Sequence, residues 1–237
     1  MTTKYKVLIT TSGTGSRLGD LTKNKNKSVI NIAGKPAISY IVDSYPKNTQ
    51  FVITLGYYGY QVKDLLLKSY PKHNFTFIEV DKYEGPGSSL GYSMLCAKDV
   101  LQCPFIFHAC DTFVPGKAIP EPNKNWIAGY EMEGDLDQYR TIQANKNQII
   151  TNINDKKEGN SKNVLIGLFG IKDYSVYWNY LEQLYKKNPN DQTLNDTSPF
   201  NQMIDDGYKI KLISFPIWYD TGNPIALEKT ISSLTKK

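Results

Sequence analysis

Short apolar runs bounded by glycine, asparagine and aspartate alternate with stretches of helical period through the first half of this chain. Residues 5–10 (YKVLIT), 50–56 (QFVITLG), 75–80 (FTFIEV) and 104–111 (PFIFHACD) predict strands. Residues 36–45, 61–70 and 88–101 predict helices between them. Alternation of this kind predicts parallel strands joined by right-handed crossover helices. From about residue 116 the texture changes: 125–132, 139–145, 148–155 and 163–171 read as strands separated by Gly, Asn and Asp. Helices are predicted over 176–187 and 198–207, a strand over 208–216, and a C-terminal helix after 217. No linker of low complexity and no internal repeat interrupts the pattern. The expectation is one α/β domain over 1–237: a three-layer, Rossmann-like mixed sheet, mainly parallel, flanked by helices. Residues 1–115 form one half and 116–237 the other.

Composition narrows the function classes. Net charge is +5, from 28 Lys+Arg against 23 Asp+Glu, and Arg17 and Arg140 are the only arginines. Lysines scattered among asparagines and acids do not make the clustered basic surface of a nucleic-acid binder, so no nucleic-acid partner is expected. The longest apolar runs fall far short of the roughly 20 residues that span a bilayer. The N-terminus, Met1-Thr2-Thr3-Lys4, has no secretory pattern, and a cytoplasmic protein is expected. Cys96, Cys103 and Cys110 are an odd set without C-x-x-C spacing; they are read as reduced and mostly buried. No heptad identifies an oligomer interface, and homo-oligomerisation stays open.

The chemistry starts at residues 6–20, KVLITTSGTGSRLGD, a strand running into a glycine-rich turn. The dinucleotide fingerprint G-x-G-x-x-G fails, because Leu18 stands where its third small residue belongs. A P-loop fails too: Gly34-Lys35 is followed by Pro36, and Val29 replaces the first glycine. Gly13 and Gly15 let backbone N–H groups approach phosphates, and Arg17 adds planar, permanently charged donors. Asp111 ends a hydrophobic strand at its C-terminal end, where ligands of open α/β sheets collect. His108 is read as a hydrogen-bonded core histidine.

Taken together, GTGSRLGDLTKNKNKSVINIAGKPAI (13–38), the Gly-Tyr turn in 52–66, GPGSSLGYSM (85–94), FIFHACDTFV (105–114), INDKK (153–157) and WYDTGNPIAL (218–227) resemble, in the same order, the motifs of the sugar-phosphate nucleotidylyltransferases. The resemblance implies a GT-A-like fold and transfer of a nucleotidyl group from an NTP, UTP or CTP, to a sugar 1-phosphate with release of pyrophosphate. The product would be an NDP-sugar for polysaccharide or glycoconjugate synthesis. It implies that Arg17 and Lys27 neutralise phosphates and that Thr10, Gly13, Gly15, Ser16, Gly85, Gly87, Ser88 and Ser89 bind the nucleotide. It further implies that Asp155, Lys156 and Gly167 bind the sugar and that Asp111 and Asp220 hold Mg²⁺. Ser88 and Ser89 are equally placed to cap the following helix.

The chain departs from the family pattern at four points. Asn26 stands for the proline before Lys27, which suggests a less rigid loop. Cys110 stands for the glycine before Asp111, Asp155 stands for a glutamate, and residues 79–87 lack the glutamine usual in uridylyl and thymidylyl enzymes. Two rival readings remain. One is a cytidylyltransferase acting on phosphocholine or another small phosphorylated alcohol or acid; the other is a non-catalytic nucleotide-binding module.

Overall fold

The computed structural model describes residues 5–159 and 161–235; the N-terminal residues 1–4, from which the absence of a secretory pattern was read, lie outside the described part. Along the chain run β1 (Lys6–Thr10), β2 (Asn31–Ile32), β3 (Lys35–Pro36), α1 (Ala37–Val42), β4 (Gln50–Leu55), α2 (Gly59–Ser69), β5 (Asn74–Glu79) and α3 (Leu90–Leu95). They are followed by β6 (Phe105–His108), β7 (Thr112–Phe113), β8 (Trp126–Glu131), β9 (Thr141–Ala144), β10 (Ile150–Asn154) and β11 (Asn163–Ile171). The rest comprises α4 (Tyr174–Lys187), α5 (Ser198–Asp205), β12 (Lys211–Ser214), β13 (Tyr219–Asp220) and α6 (Pro224–Thr235).

The described strands form one nine-stranded sheet and two small ribbons. In the sheet β5, β4, β1 and β6 are parallel neighbours. β11 then lies antiparallel to β6, and β8 and β9 pair antiparallel with β11. β12 runs parallel to β8. This is the mixed, mainly parallel α/β sheet that the alternation predicts in the first half and the change of texture predicts in the second.

Side chains that alternate along a strand go to opposite faces, and β1 shows the consequence. Val7 and Ile9 join the apolar cluster under α1, α2 and α6. Leu8 joins Phe105, Phe107, Trp178 and Phe200 under α3, α4 and α5. Two cores on one sheet make three layers. Because β1 is apolar on both faces, it reads as a continuous hydrophobic run, as expected of a central parallel strand.

The chain leaves β1 for β4 and β5 on one side, and returns to β6 on the other. The crevice beyond the C-terminal ends of β1 and β6 is therefore a topological switch point, where open α/β sheets collect ligands. Thr10–Arg17 follow β1 and Asp111 follows β6, so both reach this crevice. The helix expected over 88–101 is shorter than its pattern. α3 stops at Leu95 and a separate 3-10 turn covers Lys98–Leu101. The ribbons β2–β3 and β7–β13, each of two residues per strand, carry too little periodicity to be read beforehand.

Candidate active site

The turn after β1 wraps through Gly15, whose φ of 68° is a left-handed conformation that costs glycine little. A side chain at Gly15 would also lie 3.1 Å from Thr22 Cγ2 and 3.2 Å from Lys27 Cβ. Thr22 Oγ1 donates to the carbonyl of Gly15 at 3.1 Å and closes the turn. Arg17 follows directly on the 3-10 segment Ser16–Thr22.

The lysine loop is held firmly, which corrects the expectation that Asn26 loosens it. Asn26 is fully buried. Its side-chain amide donates to the carbonyls of Thr11 and Tyr57, both at 2.7 Å. Its Oδ1 accepts from Ser28 N–H at 2.9 Å, and its own N–H donates to Gln61 Oε1 at 3.0 Å. A proline could make none of these four bonds, so here rigidity comes from hydrogen bonding in place of a ring. Lys27 is thereby aimed at Asp111, Nζ to Oδ2 at 2.7 Å.

A two-residue ribbon sets the second carboxylate. β13 pairs antiparallel with β7, placing Asp220 opposite Thr112, and Thr221 N–H donates to the Asp111 carbonyl at 3.0 Å. Thr230 Oγ1 of α6 fixes the Asp220 carbonyl at 2.8 Å, and Gly222 N–H donates to Asp220 Oδ1 at 2.8 Å. A methyl group at Gly222 would lie 3.1 Å from Asp220 Oδ1, 3.2 Å from Asp111 Oδ2 and 3.5 Å from Arg17 Nη2. Both carboxylates and the guanidinium thus converge on one small volume.

The electrostatics are those of charges crowded out of water. Burial would raise the Asp111 pKa, but the Lys27 ammonium, their hydrogen bond and Arg17 together hold it below the ordinary carboxylate value. Asp220 has no lysine beside it; burial and the nearby Asp111 charge push its pKa up, against the smaller opposing pull of Gly222 N–H, Arg17 and Tyr139. Tyr139, raised to about 12 by burial and then by Asp220, keeps its proton and reaches Asp220 Oδ2 at 3.4 Å. Two carboxylates converging this closely, with Asp111 still raising the Asp220 pKa despite Arg17, fit a hard divalent cation that prefers oxygen. No cluster of three or more His, Cys, Asp or Glu ligands occurs among the described residues. The remaining ligands of such a cation would therefore be phosphate and water.

Two cavities meet at this point and share Arg17, Asp111 and Gly222. The turn-side cavity, about 570 Å³, is lined by the 10–17 segment, Lys27, Tyr83, Ser88, Ser89 and Gln192, among others. The ribbon-side cavity, about 160 Å³, is walled by Gln138, Tyr139, Arg140, Lys156, Asp196 and Trp218, with Gly167 behind them. Burial first, then Arg17 and Arg140, pulls the Lys156 pKa down, against the smaller opposing pull of Asp220 and Asp155.

Of the residues singled out from the sequence, Thr10, Gly13, Gly15, Ser16, Arg17, Lys27, Ser88 and Ser89 line the turn-side cavity. Gly85 and Gly87 do not; they shape the turn behind it, and Ser88 Oγ donates to the Gly85 carbonyl at 2.6 Å. Ser89 also caps α3, accepting from Tyr92 N–H at 3.0 Å. Lys156, Gly167, Asp111 and Asp220 line the ribbon-side cavity. Asp155 does not: its Oδ1 accepts from Arg140 Nε at 2.8 Å, on a side chain 64% exposed. Gly167, at φ 68°, presses on the strand that ends in Asp111; a methyl there would sit 2.8 Å from Ala109 Cβ.

Cys110 needs no glycine, since its φ is not positive. Of the three free cysteines it alone is buried, while Cys96 and Cys103 are partly exposed, so the reading of mostly buried thiols is corrected. His108 is a core residue. Tyr45 Oη donates to its Nδ1 at 2.9 Å and its Nε2–H to the Thr112 carbonyl at 2.9 Å, while burial lowers its pKa to about 4. Gln138, Tyr139, Arg140, Asp196, Trp218 and Gln192 were given no site role in the sequence reading. Their only advance signal is the Asn/Asp/Thr-rich composition of 188–197 and the position of Trp218 beside the DTG segment.

No protein-family model matches this chain. It is 21% identical over 226 residues to the bifunctional protein GlmU of Methanococcus vannielii, and spans 92% of its own length but about half, 52%, of that protein's. Among solved structures it is similar to CTP:phosphocholine cytidylyltransferase from Streptococcus pneumoniae, with a TM-score of 0.81 and 16% identity over 98% of this chain and 100% of that one. It is also similar to a UDP-glucose pyrophosphorylase complexed with UDP-glucose, with a TM-score of 0.81 and 18% identity over 99% of each chain. The fold carried by this sequence is that of the nucleotidylyltransferases of sugar phosphates and phosphocholine.

Proposed function

We propose that this chain is a single-domain, magnesium-dependent nucleotidyltransferase that joins an NTP to a sugar 1-phosphate and releases pyrophosphate. The observation that carries the reading is the meeting of two cavities at Arg17, Asp111 and Gly222. A triphosphate in the turn-side cavity and a phosphorylated acceptor in the ribbon-side cavity would bring their reacting phosphates together there. The 1–115 half would handle the nucleotide and most of the 116–237 half the acceptor.

In this reading backbone N–H groups of the 13–15 turn, with Arg17 and Lys27, hold and neutralise the triphosphate. Lys156 and Arg140 hold the acceptor phosphate, which relieves the cation crowding around them. Asp111 and Asp220 would hold Mg²⁺, which when bound supplies charge neutralisation on the phosphates. No general base is needed, because a phosphate monoester is already largely dianionic at pH 7, its second pKa being about 6. Rate enhancement then comes from positioning and electrostatics. The product would be an NDP-sugar serving polysaccharide or glycoconjugate synthesis in the cytoplasm.

A second reading is favoured by one feature. Tyr139 and Trp218 stand with ring centroids 5.4 Å apart, and both line the ribbon-side cavity beside Asp220 and Asp196. Aromatic faces near carboxylates suit a quaternary ammonium, and one similar structure is a CTP:phosphocholine cytidylyltransferase. The experiment is pyrophosphate release with Mg²⁺ in a matrix of CTP, UTP, dTTP, GTP and ATP against glucose 1-phosphate, N-acetylglucosamine 1-phosphate, mannose 1-phosphate and phosphocholine. Release with a sugar phosphate supports the first reading, and release with CTP and phosphocholine alone the second. Silence across the matrix with NTP binding intact would point first to an acceptor outside the matrix and second to a non-catalytic nucleotide binder.

A further inference from the structure

The segment between α4 and α5 touches both cavities, although no motif marks it. Gln192 lines the turn-side cavity and Asp196 the ribbon-side cavity, four residues apart. The segment is anchored against the turn at 85–91. Gly91 N–H donates to the Leu194 carbonyl at 3.0 Å, buried Leu194 packs on Gly91, and a methyl at Gly87 would lie 2.9 Å from the Pro189 carbonyl oxygen. A chain of side-chain turns stiffens it. Asp191 Oδ1 accepts from Thr193 N–H and Oγ1 at 2.7 and 2.6 Å, and Asn195 Oδ1 accepts from Thr197 N–H and Oγ1 at 2.9 and 2.7 Å. Asn195 Nδ2 donates to the Thr193 carbonyl at 2.9 Å.

Within this lattice the two residues that reach the cavities are the ones with capacity to spare. Gln192 is exposed, and among the described residues its side chain makes no hydrogen bond within the chain. It joins Tyr83, Ser88, Ser89 and Ser93, lining residues that carry no charge, in a cavity whose cationic groups are Arg17 and Lys27. A neutral wall with one free amide suits a nucleobase, since an amide presents a donor and an acceptor side by side. Asp196 is 4% exposed, and burial raises its pKa to about 6 even with Arg140 nearby. Its own N–H and that of Thr197 already donate to the carboxylate, which on a cavity wall keeps further lone pairs for a donor from whatever fills the cavity.

Resting on the nucleotidyltransferase reading, we infer that residues 191–196 form a two-ended specificity element, in which Gln192 reads the edge of the nucleotide's base and Asp196 accepts a hydroxyl of the sugar-phosphate acceptor. Both are binding residues; neither is required for the chemistry. One rigid loop reporting on both substrates also explains why base selection needs no glutamine in residues 79–87.

The test is a crossed one on the full chain. Gln192→Ala should cut the ratio of kcat/KM for the preferred NTP over the other pyrimidine NTP about tenfold, leaving the acceptor KM within about twofold. Gln192→Glu, which can only accept, should tilt the remaining preference toward a base bearing an amino donor. Asp196→Ala should raise the acceptor KM about tenfold with kcat and the NTP KM little changed, and Asp196→Asn, which still accepts from a hydroxyl, should recover most of that loss. Thermal melting of each variant separates misfolding from these effects. Equal losses for every NTP, or NTP and acceptor KM moving together, would overturn the inference. A larger loss in Asp196→Asn than in Asp196→Ala, or an effect on phosphocholine alone, would overturn the hydroxyl assignment. A wild-type chain that neither binds NTP in calorimetry nor releases pyrophosphate would instead overturn the functional reading beneath it.

Discussion

The proposed nucleotide cavity is walled by a nearly continuous turn, residues 10–17, with help from Lys27 and the segment 83–93. The proposed acceptor cavity is assembled from single residues: Gln138–Arg140, Lys156, Gly167, Asp196 and Trp218. The contrast follows the sheet. Parallel strands deliver their C-terminal ends to one edge, so a single βα turn can cradle a phosphate. Around the antiparallel strands β8 to β11 no single turn plays that part, and the site there is gathered from separate loops, with only Gly167 of these residues on a strand. A triphosphate asks the same of any protein, whereas an acceptor asks for something particular. The first requirement therefore leaves a local motif, and the second leaves scattered residues.

The largest expected break in this comparison is at the point the cavities share. Asp111→Asn should lower metal-dependent turnover at least about a thousandfold, the several kcal/mol that a metal and its ligand contribute to charge stabilisation. Steady-state pyrophosphate release checks this, with circular dichroism for the fold. Lys27→Met should cost turnover on the order of a hundred- to a thousandfold, and should leave Asp111 an unpaired carboxylate, so that it melts below wild type as well.

Asn26→Ala tests whether the turn-side cavity depends on its hydrogen-bonded lysine loop. It strands the buried carbonyl of Thr11 and the partly buried one of Tyr57, and chemical denaturation should show a loss of about 3 kcal/mol. Gly167→Ala probes the other cavity, where the new methyl meets Ala109 on an already left-handed backbone. A loss of about 2 kcal/mol is expected, with weaker acceptor binding because the strand leading to Asp111 must shift.

The smallest effect is one of pH. Asp196 has a folded pKa of about 6 against about 3.9 when unfolded, so between those values the folded state holds the extra proton. Stability therefore falls as pH rises through this window. Relative to Asp196→Asn, wild type should lose on the order of 1 kcal/mol between pH 5 and pH 8, read from paired denaturation curves. A constant gap would mean that Asp196 is well compensated and has no need of a ligand's donor. Asp111 runs the other way: its depressed pKa contributes stability above about pH 4, lost as pH falls through the folded value.

The alternation of strand and helix and the glycine turn were legible because each is a local pattern; Arg17 and the two aspartates were singled out together through the family resemblance of their segments. Asn26 was misjudged for the opposite reason. Its rigidity depends on carbonyls 15 and 31 residues away in the chain, at Thr11 and Tyr57, and no local window contains them. Asp155 matched a motif, yet the fold gives it to Arg140 and leaves it largely exposed. Gln192 and Asp196 sit in a polar loop whose composition signals turns and says nothing about what the turns face.

Local physical chemistry was enough for the three-layer sheet, because hydrophobic period and turn residues act within a few positions along the chain. It was enough as well for the glycine turn after β1, whose backbone conformation glycine permits. Which side chains share a cavity was decided only by tertiary structure. The β7–β13 register sets Asp220 beside Asp111, and the seat of the α4–α5 loop on Gly87 and Gly91 brings Gln192 and Asp196 to their cavities. Those contacts join residues distant in sequence, and their energies exist only once the two halves have packed.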